Sequence, residues 1–232
     1  MIFRQLFDAT SGTYTYLVAK RTGGEALLID PVVENVAQYL QLIEQLGLKL
    51  IYAIDTHVHA DHITGLGELR DKAGCTTIMG AHTKAECVSR RVKDGETIDV
   101  DGLKLHAMYT PGHTDDSYSF RMPDRVFTGD TLLIRGTGRT DFQNGDPYAQ
   151  YDSLFNKLLK LPEETLVYPA HDYKGWTVST IGEEIRHNPR LQVRSVEEYA
   201  AIMRHLNLPD PTLMDVAVPA NLECGRRRAL QA

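Results

Sequence analysis

Apolar positions along this chain follow two periods, about two and about 3.6 residues, and the switch between them marks out the elements. Residues 2–7 and 13–18, parted by a Ser-Gly turn, read as strands, and 26–29 is a third apolar run closed by Asp30-Pro31. In 36–46, Val36, Leu40, Ile43 and Leu46 recur at helical spacing, and Gly47 ends the run. Residues 50–54 form a short apolar, β-branched strand; a helix over 65–72 and a strand over 76–79 follow. The second half has strands at 103–109, 117–120, 125–127 and 165–168, with a helix over 150–160 whose apolar face is Tyr151, Leu154, Leu158 and Leu159. Residues 177–206 read as mostly helical, and the Pro-rich 207–220 as irregular.

Mixed strands and helices of this kind suit an α+β fold in which two sheets pack face to face with helices outside. The 232 residues, 42% hydrophobic and 24% charged, are expected to form one domain over 1–232, with 177–232 as a short, mainly helical C-terminal extension. A net charge of −6 argues against a nucleic-acid footprint. The basic run at 226–228 reads as a solvated tail. Three cysteines, Cys75, Cys87 and Cys224, show neither a disulfide framework nor a zinc-knuckle spacing, which fits a reducing compartment. There is no signal-peptide pattern and no apolar run of membrane-spanning length, so a cytoplasmic location without membrane contact is expected.

Chemistry concentrates where strands end. Residues 56–65 read Thr-His-Val-His-Ala-Asp-His-Ile-Thr-Gly, and three of the nine histidines fall between 57 and 62. Imidazole with carboxylate suits Zn, Fe or Ni better than Ca or Mg. Side chains two apart on extended backbone point the same way, so His57 and His59 can converge on one ion. His113, Asp130 and His171 follow three later strands, with Gly112 and Gly129 allowing tight turns before two of them. By themselves these seven residues admit two metals: His57, His59 and His113 on one, Asp61, His62 and His171 on the other, and Asp130 bridging. Such a pair sharing a hydroxide would suit hydrolysis.

Thr-His-x-His-x-Asp-His, with a later His, a later Asp and a last His, resembles the metallo-β-lactamase superfamily. That resemblance implies a four-layer αβ/βα sandwich with the metals at one edge between the sheets. Finer wording is similar to the persulfide dioxygenase family, also known as the ethylmalonic encephalopathy protein family. The matching stretches are Leu-Leu-Ile-Arg-Gly-Thr-Gly-Arg-Thr-Asp-Phe-Gln after Asp130, Tyr-Pro-Ala-His-Asp-Tyr around His171, Leu-Asn-Leu-Pro at 206–209 and Val-Pro-Ala-Asn at 218–221. One departure is Thr137, where the family often has Cys.

The resemblance implies a non-haem Fe(II) enzyme, with one Fe(2+) per chain on His57, His113 and Asp130, that oxidises glutathione persulfide with O₂ to sulfite and glutathione. His59, Asp61, His62 and His171 would then orient ligands and waters, or hold a second metal in the alternative. Arg139, Tyr173 and Lys174 are candidates for binding the substrate's carboxylates. The alternative is a dinuclear thioester hydrolase of the glyoxalase II type, disfavoured because only 61 residues follow His171. A rhodanese-type sulfurtransferase is a possible partner and a homodimer a possible assembly.

Overall fold

The computed structural model describes residues 1–209 and 213–225, so the basic run at 226–228 lies outside the described residues, as do positions 210–212. Two six-stranded sheets face each other. The first runs β1 (Ile2–Asp8), β2 (Thr13–Ala19), β3 (Glu25–Ile29), β4 (Lys49–Ile54), β5 (Thr76–Gly80) and β6 (Arg90–Val92), in that spatial order. The second is ordered β12-β11-β10-β9-β8-β7, from β12 (Ser179–Thr180) through β11 (Leu166–Pro169), β10 (Arg125–Gly129), β9 (Tyr118–Arg121) and β8 (Leu103–Tyr109) to β7 (Thr97–Val100). The two orders mirror one another, an internal symmetry that no repeated sequence announces.

The core explains the layering. Tyr16, Leu27, Ile29, Ile54 and Ile78 from the first sheet meet Ile98, Leu105, Phe120 and Phe127 from the second, all buried. The outer face of the first sheet (Leu17, Leu28, Leu50, Ala53) is covered by α1 (Val36–Gln45) and α2 (Leu66–Ala73) through Val36, Tyr39, Leu66 and Leu69. The outer face of the second (Val126, Val167) is covered by α3 (Pro147–Asp152), α4 (Ile181–His187) and α5 (Val196–Arg204), with Leu154, Leu158, Ile181 and Tyr199 between. Central strands with both faces covered carry the near-continuous apolar runs seen in β3 and β4. The result is the expected four-layer sandwich.

Several elements differ from the sequence reading. The edge strands β6 and β7 lie in a stretch rich in charge; β7 still alternates, with Ile98 and Val100 buried and Thr97 and Asp99 exposed. The helix expected over 150–160 begins at Pro147, where Asp146 caps it by accepting from the Tyr148 N–H, and continues as a π-helical turn at Ser153–Lys157. Within 177–209, Ser179–Thr180 extends the second sheet by pairing with β11. The segment 207–220 is not wholly irregular: α6 (Met214–Leu222) forms despite Pro219 in its interior. Ala217, Ala220 and Asn221 are buried, so tertiary packing outweighs the lost backbone bond.

The cysteines also depart from expectation. Cys87 and Cys224 form a disulfide across 137 positions, while Cys75 is free and buried. A bridge between residues this distant leaves no spacing signature to read. It ties the loop after β5 to the end of α6. Closing so long a loop restricts the unfolded chain, so Cys87→Ser should lower the unfolding free energy by about 2–4 kcal/mol in urea titration under oxidising conditions. Added reductant should erase the difference; equal stability before reduction would remove the bridge from the account.

Candidate metal centre and pocket

All seven ligand-type residues meet at one end of the sandwich. His57, His113 and Asp130 offer ligand atoms within 4.8 Å of one another, and His59, Asp61, His62 and His171 form a second such group beside them. Each comes from a loop that leaves a strand: β4 delivers 57–62, β8 leads to His113, β10 to Asp130 and β11 to His171. Gly112 and Gly129 take positive φ, +136° and +52°, the backbone freedom these turns require.

Hydrogen bonds fix which ring nitrogen each histidine presents. His57 Nδ1 donates to Thr56 Oγ1 at 2.9 Å, and that hydroxyl donates on to Asp30 Oδ2 at 3.1 Å. His113 Nδ1 donates to the Arg139 carbonyl at 2.7 Å. Both rings therefore keep a bare Nε2, and His113 Nε2 stands 3.6 Å from Asp130 Oδ2. His59 Nε2 donates to Asp30 Oδ1 at 3.1 Å, leaving Nδ1 buried and without a hydrogen-bond partner among the described residues. His62 Nδ1 donates to Asp61 Oδ2 at 2.9 Å, and its Nε2 is likewise unpartnered. Buried polar atoms left over in this way mark a place for a cation or ordered water.

His171 differs. Its Nδ1 lies 2.7 Å from Asp130 Oδ1 and its Nε2 2.7 Å from Asp61 Oδ2. Burial works against charge on this ring, yet the two carboxylates raise its pKa well above the usual histidine value. Burial alone would likewise raise Asp61 and Asp130, but His171 first among their neighbours holds both well below the carboxylate range. His57 and His59 go the other way: burial pushes both well below the ordinary value, and adjacent rings add to it. Neutral imidazoles and an ionised carboxylate are the protonation states a divalent ion needs.

Two positioning groups were invisible to motif reading. Asp30, at φ +52°, accepts from the Thr56 N–H at 2.7 Å and from the His59 ring; burial pushes its pKa up to about 6 against His57 and the Thr56 bonds. Asn221 on α6 donates to the carbonyls of His59 (2.9 Å) and His62 (2.8 Å) and accepts from the Thr64 N–H (2.8 Å). One side chain thus braces both ends of the 59–64 loop from more than 150 residues away. The only signal in the sequence is the Val-Pro-Ala-Asn string at 218–221.

A cavity of about 640 Å³ opens onto His113, Asp130 and His171. Arg139, Tyr173 and Lys174 all line it. The Arg139 fork is engaged with Asp141, at 2.6 and 2.8 Å, and with the Pro209 carbonyl at 2.7 Å. Tyr173 is 74% exposed at the mouth, its ring parallel to that of His171. The exposed Lys174 places its ammonium 5.2 Å over the Trp176 ring. Asp172 fixes this turn by accepting from the Lys174 and Trp176 N–H groups, both at 2.8 Å. Thr137 is buried, and its hydroxyl joins Tyr199 (3.1 Å) and Arg190 (3.3 Å), contacts a thiol would make more weakly.

Removing the Asn221 amide leaves two buried carbonyls and one N–H unpaired. Asn221→Ala should therefore weaken divalent-metal affinity by about 10–100-fold, the usual scale for groups that orient ligands. Competition against a chelator measures this, and wild-type affinity would exclude the brace.

Comparison with known proteins places this geometry in a family. Residues 9–171 match the model of the metallo-beta-lactamase superfamily. Over 228 residues the chain is 47% identical to human (Homo sapiens) persulfide dioxygenase ETHE1, mitochondrial, covering 97% of this chain and 89% of that protein. It is similar to the crystal structure of ETHE1 from Myxococcus xanthus, with TM-score 0.94, 54% identity, and coverage of 97% and 100% of the two chains. A more distant structure, TTHA1623 in a di-iron-bound form, has TM-score 0.66 and 26% identity, covering 80% of this chain and 98% of that one. Among the described residues no helix is long and apolar enough to cross a membrane. The chain belongs to the metallo-beta-lactamase superfamily and, within it, to the persulfide dioxygenase family.

Proposed function

We propose that this sulfur dioxygenase oxidises glutathione persulfide at a single ferrous ion held by His57, His113 and Asp130. The net reaction converts persulfide, O₂ and water into glutathione, sulfite and two protons. The observation that carries the metal count is His171. Its Nδ1 and Nε2 each lie 2.7 Å from a carboxylate oxygen, contacts that support a role in orienting Asp130 and Asp61 rather than in ligating a second ion. His57 Nε2, His113 Nε2 and Asp130 Oδ2 instead form a two-histidine, one-carboxylate face.

Iron in that face supplies the redox chemistry by which O₂ reacts with closed-shell sulfur. The chain does the rest. Thr56 and the Arg139 carbonyl hold the two imidazoles in the ligating tautomer. His171 helps keep Asp130 ionised and engages its Oδ1, leaving Oδ2 as the atom that would hold the iron. Asp61 lines the pocket beside His113, Asp130 and His171. Tyr173 and Lys174 rim the opening through which a tripeptide persulfide enters.

The unpartnered nitrogens His59 Nδ1 and His62 Nε2 favour a second reading, two metals and thioester hydrolysis, and the di-iron-bound relative is in keeping with it. Metal analysis with an oxygen electrode separates the two. About one iron per chain with O₂ uptake on glutathione persulfide supports the dioxygenase; about two ions with thioester hydrolysis and no O₂ uptake overturns it. Asp130→Ala should abolish iron binding while His59→Ala leaves the stoichiometry near one; equal loss in both would point to another ligand set.

A further inference from the structure

The turn between β1 and β2 reaches the metal centre through two hydroxyls that have no part in holding the ion. Thr13 is buried, and its Oγ1 lies 3.0 Å from His171 Nε2, 3.2 Å from Asp61 Oδ2 and 2.7 Å from Ser11 Oγ. Ser11 Oγ in turn donates to Asp8 Oδ2 at 2.7 Å. Backbone contacts hold this row in place. Thr13 and His171 form an isolated antiparallel bridge; the Tyr14 N–H donates to the Ala170 carbonyl (2.7 Å) and the Asp172 N–H to the Gly12 carbonyl (3.1 Å). At the outer end, Asp8 Oδ2 also accepts from the Ser11 N–H at 2.8 Å, and Oδ1 accepts from the Asn35 amide at 3.0 Å.

Counting hydrogens gives the row a direction. An ionised Asp8 can only accept, so the single Ser11 hydroxyl hydrogen is committed to it. The short Thr13–Ser11 contact then needs the Thr13 hydrogen, in preference to the longer contact with Asp61. The Thr13 oxygen is left to accept, and His171 Nε2 stands beside it. Every donor thus points from the centre toward Asp8. That carboxylate is partly exposed and stands outside the cavity wall, which Thr10 and Ser11 line. Burial acts to raise its pKa, yet the Ser11 and Asn35 bonds hold it below the usual carboxylate value, so a proton arriving there passes on to water.

We infer that Thr13, Ser11 and Asp8 form a proton exit, by which protons released in the cavity reach solvent while the persulfide fills the opening. The exit rests on the reaction proposed above, which yields two protons per turnover. In one pass the Nε2 proton of His171 moves to Thr13 Oγ1, the Thr13 hydrogen to Ser11 Oγ, the Ser11 hydrogen to Asp8 Oδ2, and a proton from Asp8 to water. The ring is refilled through Asp61 Oδ2, which lies 2.7 Å from Nε2 on a residue that lines the cavity. Once the two hydroxyls turn back, every group is as it began, and one proton has left the cavity. The His171 ring, only 2% exposed, has little contact with solvent of its own.

The test cuts the row at each hydroxyl. Thr13→Val and Ser11→Ala should each lower kcat for O₂ uptake with glutathione persulfide by about tenfold, short of the ~10²–10⁴-fold of a group that transfers the reacting proton itself. KM and iron content should stay near wild type, and Thr13→Ser should recover most of the loss. The solvent deuterium isotope effect on kcat should rise in Thr13→Val, because proton escape becomes the slow step. An unchanged kcat, a loss that tracks iron content, or an isotope effect left at the wild-type value would overturn the exit. If wild type consumes no O₂, the proposed reaction fails on its own, and NMR of the full-length, iron-free chain decides the route separately. Exchange of the His171 Nε2–H with water should slow by about tenfold in Thr13→Val and Ser11→Ala and return in Thr13→Ser. Equal exchange rates in all four proteins would mean that protons leave by another path.

Discussion

The His171 ring stands between two acids, Asp130 and Asp61, and the character of the whole centre follows from that contact. A buried ring hydrogen-bonded to two partly buried carboxylates offsets charges that would each be costly alone. The arrangement fixes Asp130 asymmetrically, with one oxygen committed to the ring and the other turned to His57 and His113. On the mononuclear reading proposed above, His171 orients ligands rather than binding an ion. The seven ligand-type residues lie as two adjoining groups, His57, His113 and Asp130 in one and His59, Asp61, His62 and His171 in the other.

Much of this was legible in the chain. The ligand types stand at strand ends, and the family resemblance placed their four loops at one edge. Periodicity gave β8 and α1 nearly to the residue, because each buries one well-defined face. What spacing could not decide was the division of labour. Whether His171 ligates or bridges depends on distances between loops 110 residues apart, from Asp61 to His171.

The missed features share a physical reason: each is set by tertiary contact. Asp30-Pro31 looks like the close of a strand, but folding turns the Asp30 carboxylate beneath the loop that carries His57 and His59. β6 and β7 are short, charged edge strands with little apolar content to announce them. α6 contradicts its proline because three of its residues are buried against the rest of the molecule. Cys87 with Cys224, and Arg190 with Thr137, are pairs whose members carry no meaning singly. Arg139 was the attractive cation in the sequence because it stands in a recognisable string, yet its fork is turned to Asp141.

The Asn221 brace bears on the order in which the molecule is made. Its amide reaches His59 and His62 across 162 and 159 positions, so every ligand leaves the ribosome well before the group that sets their loop. During synthesis the N-terminal part emerges and collapses first, with its histidine loop still lacking backbone partners. Ion capture in the finished geometry is thus a late event, completed only when the last helix docks.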